Sequence, residues 1–179
     1  MKKISLSSLL IFALALTTLS ACGGGGGGGS TPPQSATAVL TLSTAVTGTI
    51  PAPAVIAGYD VTIALPAGVT VKSTTPSQTD AGVVVGSATG AAAGTYNAAS
   101  FNSATGKVHI VLVSPKGNGF SGAGEFCKVN CIIAAGHHPT AADFQLTFKA
   151  SGIDNPNAAK PSTVDLTNQL SMIPAVVIN

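Results

Sequence analysis

The residues of this 179-residue chain with the most obvious chemical potential are two cysteines four apart, Cys127-Lys128-Val129-Asn130-Cys131. Such a pair can form a disulfide, ligate a metal or simply fill a core. In a regular strand, residues four apart lie on one face about 13 Å from each other, at roughly 3.3 Å per residue. A disulfide needs Cα atoms within about 7 Å. A Cys127–Cys131 bridge therefore requires a bulge or turn at Lys128-Val129-Asn130. Without one, Cys127, Val129, Cys131 and Ile133 share a face and the thiols are core residues. Haem attachment is excluded because no Cys-x-x-Cys-His occurs. Gly136-His137-His138-Pro139 follows in a loop, and imidazole with the Cys131 thiolate would suit zinc or copper. Adjacent histidines seldom share one tetrahedral ion, and no third partner is evident, so no metal or other cofactor is expected. His109 sits in a strand whose facing is open at this level.

Other patterns carry less. Gly117-Asn118-Gly119-Phe120-Ser121-Gly122 spells G-x-G-x-x-G, but a strand follows it where a phosphate site needs a helix N-terminus. It reads as a turn. Asp154-Asn155-Pro156-Asn157 offers oxygen ligands without the acidic spacing of a calcium loop, and its residues are turn formers in their own right. Glu125 is the only glutamate, no carboxylates pair closely as glycoside hydrolysis would need, and no G-x-S-x-G elbow occurs. The chain is expected to be non-catalytic.

The elements that position these residues read as strands. Helix-period apolar patterns are hard to find, whereas period-2 stretches recur between Gly and Pro punctuation. Strands are expected at residues 38–46, 55–65, 69–72, 83–85, 95–101, 107–113, 124–134, 143–149, 163–170 and 173–178. The stretch Gly86 to Gly94 is a small-residue connection. Short strands at this spacing predict an all-β fold, an antiparallel β-sandwich or jelly roll of about nine strands.

The N-terminus is organised differently. Lys2 and Lys3 precede an apolar run, residues 9–16, which is shorter than the roughly 20 residues a spanning helix needs. Leu19-Ser20-Ala21-Cys22 closes it and resembles the lipobox of bacterial lipoproteins at every position. The resemblance implies a signal peptide at 1–21, a diacylglycerol on Cys22, cleavage before it and acylation of the new amine. Several acyl chains make anchoring durable where one would be marginal. Gly23 after the cysteine implies outer-membrane or cell-surface sorting. With Cys22 taken by lipid, the two remaining cysteines would lie in an oxidising compartment, where a bridge is permitted. Seven glycines, Gly23–Gly29, and Ser30-Thr31-Pro32-Pro33 then read as a flexible tether, giving a division of 1–21 signal, 22–36 lipidated cysteine and tether, and 37–179 domain. Beyond the tether, six lysines (72, 107, 116, 128, 149, 160) balance Asp60, Asp80, Glu125, Asp143, Asp154 and Asp165, and no arginine occurs. A nucleic-acid partner needs clustered cations and is excluded.

The order of elements from residue 38 to 171 resembles the cohesin-like domains of the carbohydrate-binding sandwich superfamily. The likeness lies in residues 56–71 (Ile-Ala-Gly-Tyr-Asp-Val-Thr-Ile-Ala-Leu-Pro-Ala-Gly-Val-Thr-Val), in 106–113, in Phe120-Ser121-Gly122-Ala123-Gly124-Glu125 and in 143–150. Cohesins are nine-stranded jelly rolls that bind dockerin modules, so the resemblance implies a recognition module with a protein partner, dockerin-like or otherwise. A structural envelope lipoprotein and a carbohydrate-binding module are the alternatives. The latter would have to work without tryptophan and with only Tyr59 and Tyr96 as tyrosines.

Overall fold

Alternation of aliphatic and small polar residues makes β1 (Ala36–Val46) a strand with one buried face, Ala38, Leu40, Leu42 and Thr44. The same logic produces β2 (Val55–Ala64), β3 (Val69–Val71), β4 (Val84–Gly86), β5 (Tyr96–Asn102), β6 (Lys107–Val113), β7 (Gly124–Ile133), β8 (Gln145–Ile153), β9 (Thr163–Asp165) and β10 (Leu170–Ile178). The computed structural model describes residues 34–87, 96–114, 119–120 and 123–179. These fall in one unit, Pro33–Asn179. The signal segment, Cys22, the glycine tract, most of the Gly86–Gly94 connection and most of the G-x-G-x-x-G stretch lie outside the described residues.

All pairings are antiparallel. One sheet runs β10-β1-β7-β3, with β4 also on β7; the other runs β5-β6-β2-β8-β9. Their inner faces share a single core that includes Leu40, Leu42, Val129 and Ile133 from the first sheet and Val61, Ile63, Val108 and Ile110 from the second. The fold is an all-β sandwich, with ten strands among the described residues. Completely burying one such side chain contributes about 1.5–3 kcal/mol.

Two bulges adjust the pattern. In β7, Leu42 faces Cys127 while Ser43 faces Glu125, so Phe126 is the extra residue. Phe126 and Cys127 are consequently both buried. In β2 the register skips Ala57, which lets Ile56 and Tyr59 face the core together. Tyr59 stacks on Phe126 at 4.7 Å and meets Phe120 at 5.2 Å, and its hydroxyl lies 3.5 Å from the Thr44 hydroxyl.

The expected strand set is reproduced with shifts at four places, one of them the end of β8, which runs on from the expected 149 to Ile153. The alternation from Asp143 starts as a strand only at Gln145. Asp143 instead closes a 3₁₀ turn, Ala141–Asp143, its carboxylate accepting from the Thr140 N–H and hydroxyl at 2.7 and 2.8 Å. The run 163–170 breaks after Asp165. That carboxylate accepts the Thr167 N–H at 2.9 Å and starts a second 3₁₀ turn, Thr167–Gln169, while Leu166 is buried. β10 accordingly begins at Leu170, three residues before the expected start.

Candidate functional site

The cysteines resolve first. β7 runs through Lys128-Val129-Asn130 without a bulge, with Cys127 opposite Leu42 and Cys131 opposite Ala38 on β1. Both thiols are free and buried, so the bridge weighed from the sequence is not formed. The bulge that would have shortened the distance sits one residue too early. Burial pushes Cys127 up to about 12, with Glu125 adding to it, and burial pushes Cys131 up to about 11. Protonated, enclosed thiols are neither nucleophiles nor ready ligands.

Nor are the histidine and aspartate loops brought together. Gly68 has φ 76°, a conformation that suits glycine at the end of the Pro66-Ala67-Gly68 turn, where the Val69 N–H donates to Pro66 at 3.1 Å. The His137 ring lies in the space a Cβ on Gly68 would take. His137 is thus a cover on a turn, while Cys131 sits in the core. Among the described residues no group of three His, Cys, Asp or Glu side chains is placed to hold a metal. Asp154 closes the β8–β9 loop, accepting from Asn155 N–H at 2.7 Å, Ser162 N–H at 2.9 Å and the Ser162 hydroxyl at 2.7 Å. These donors hold its carboxyl below the ordinary value.

The feature that does assemble is the outer face of the β5-β6-β2-β8-β9 sheet. Register sets its outward residues in rows. Thr62 lies between His109 and Thr147; Asp60 lies between Val111 and Lys149; Gly58 lies between Val113 and Ser151, with Asp165 opposite Ser151. Asp60 accepts a hydrogen bond from His109 Nε2 at 2.8 Å across two rows. Both side chains are about half exposed, at 54% and 46%. Solvated pairs of this kind contribute about 0–1 kcal/mol to stability, so folding gives little reason to keep this one.

Gly58 leaves the middle of the third row low. A Cβ there would meet the Leu112 carbonyl oxygen at 3.0 Å and the Ser151 hydroxyl at 3.2 Å. The resulting hollow of about 460 Å³ is bordered by Val111, Val113, Lys149, Ser151 and Asp165. A second hollow of about 330 Å³ lies beyond Asp60 and Lys149, against Thr62, His109 and Thr147. The Asp60–Lys149 row is the ridge between them. Asp165 is held below its ordinary value by Thr167 first, with Lys149 contributing. The face thus combines an aliphatic floor, two lysines (Lys149 and, opposite Ala64 in the next outward row, Lys107), two carboxylates and an imidazole.

Features that work against strand addition mark several sheet edges among the described residues. The Thr79 hydroxyl reaches the Ala99 carbonyl of β5 at 3.5 Å, and the Asn97 side-chain amide reaches the Val84 carbonyl at 3.5 Å. β9 is three residues long. On β10 the Asn179 N–H donates to Thr37. With Thr37 paired to Asn179, alternation along the ladder makes Leu42–Pro174 a non-hydrogen-bonded pair. The ring nitrogen of Pro174 therefore faces the free edge and deletes its central donor.

Asp60, Lys149, His109 and Asp165 went unrecognised as a group in the sequence because they are up to 105 positions apart. The one local signal was Gly58, a glycine inside an otherwise strand-like run. The chain matches no family profile, no curated protein and no solved structure.

Proposed function

We propose that this chain is an exported lipoprotein, anchored through Cys22 at the outer membrane or cell surface, whose sandwich is a non-catalytic, cohesin-like recognition module for a protein partner. Partner binding falls on the outer face of β5-β6-β2-β8-β9. The observation that carries the reading is the Asp60–Lys149 ridge between two hollows. Exposed charges of both signs around an apolar floor suit a complementary protein surface, giving specificity and salt-sensitive association. The lipobox supports the location and the tether supports reach.

The test is capture from envelope extracts with the full-length protein and with the Asp60→Lys, Lys149→Glu double variant. Both positions are exposed, so the variant folds. One dominant partner held by the wild type, released at moderate salt and lost by the variant, is the expected result. Equal capture by both chains, or retention on glycan beads in place of a protein, would contradict the reading.

A further inference from the structure

The opposite outer face, on the β10-β1-β7 side, differs in character. Outward on β1 are Thr37 and Val39. Thr37 lies opposite Ile132, while Val39 lies opposite Val177 and Asn130. Ile132 is 38% exposed and Val177 59%, with Ile173 at 50% two outward positions further along β10. Among the described residues, four of the seven exposed large aliphatic side chains, these three and Val85, lie on outward positions of this sheet.

We infer that the part of this face nearest the start of β1 rests on the lipid surface to which Cys22 is anchored; the inference depends on the lipoprotein reading. Residues 23–35 separate Cys22 from Ala36, and a chain of that length reaches at most about 45 Å. The domain is therefore held at the bilayer by the first residue of β1. Ile132 and Val177 flank the next three residues of that strand, within about 10 Å of its start given strand spacing and rise. A tether this short makes lipid contact an intramolecular event, so a small aliphatic patch is sufficient. The nearby charges are paired or engaged: Lys72, just past β3, pairs with Asp80 at 3.5 Å. Lys128 lies further along β7 and pairs with Glu125 at 3.4 Å. Asp143, on the 3₁₀ turn packed against β10, has its carboxylate engaged by Thr140. Pro174 argues against the alternative occupant, a second copy adding a strand to β10. This orientation leaves the Asp60–Lys149 face directed away from the membrane and open to a partner.

The chain has no tryptophan, which makes a direct test available. Full-length protein carrying Val177→Trp, or Ile132→Trp as a second reporter, is compared with Thr147→Trp on the opposite face. Each is produced in a host that processes lipoproteins, checked for lipid by intact mass and reconstituted in phosphatidylcholine vesicles with and without brominated acyl chains. Blue-shifted emission quenched by brominated lipid at 177 and 132, with water-like unquenched emission at 147, is the expected result. Lipidated chains with equal emission at all three positions would overturn the inference alone. An unmodified Cys22 would overturn it together with the anchor.

Discussion

At the scale of single residues, Cys127 and Cys131 are free, but burial raises both thiols far from the range in which thiolate forms near neutrality. Alkylation at pH 8 should leave both unmodified in the folded protein. In denaturant, two thiols per chain should react if Cys22 carries lipid and three if it does not, as counted by mass. A bridge would leave neither reactive without reductant.

The carboxylates behave oppositely. Asp154 is held low by Ser162 and Asn155, Asp143 and Asp80 by the Thr140 and Thr74 groups, Asp165 by Thr167, and Glu125 by the Ser87 hydroxyl. Each is lower in the folded than in the unfolded chain. Their contribution is therefore complete above the ordinary carboxylate values near 4 and is lost as pH falls through the lower folded values. The thermal midpoint should stay level from pH 7 to about 5 and fall below about pH 4. Asp154→Asn should shrink that acid-side fall. An unchanged acid profile in the variant would show that the Ser162 contacts do not stabilise the loop.

At the scale of elements, period-2 alternation made the strands legible. β2 and β6 were readable from Tyr59-Asp60-Val61-Thr62-Ile63 and from Lys107–Val113. The places that escaped are those where a side chain competes with the ladder for the backbone. Asp143 and Asp165 take N–H or hydroxyl donors into 3₁₀ turns, and their own alternation with apolar neighbours conceals this. The bulges at Phe126 and Ala57 escaped for a related reason: each puts an extra residue into a run that still reads as strand. The free edge of β10 carries its own prediction. Pro174→Val restores an N–H to the centre of that edge and should increase self-association, seen as light scattering that rises with concentration on mild heating. Scattering no greater than wild type would mean the edge is protected by something other than the proline.

Across the whole molecule, two sheets enclose one core and leave two outer faces of different character. The core is intolerant of loss. Leu42→Ala, at a completely buried position, should cost about 2–5 kcal/mol in denaturant unfolding. Thr147→Ala, exposed on the outer face, should stay within about 0.5 kcal/mol of wild type. Similar losses at both positions would undermine the division between the enclosed core and the exposed face. The core was legible from the sequence as alternating aliphatics. The cluster on the outer face was not, because only cross-strand register brings Asp60, His109, Lys149 and Asp165 side by side.

The account rests above all on Cys22 as the point that holds the sandwich at a membrane. Intact mass of the chain recovered from cell membranes, beside a Cys22→Ser variant, tests this most directly. The account predicts a mature chain beginning at Cys22 and carrying a diacylglyceryl group and an N-acyl chain, with the variant unlipidated. A chain that still begins at Met1, carries no lipid and fractionates away from the membranes would contradict it.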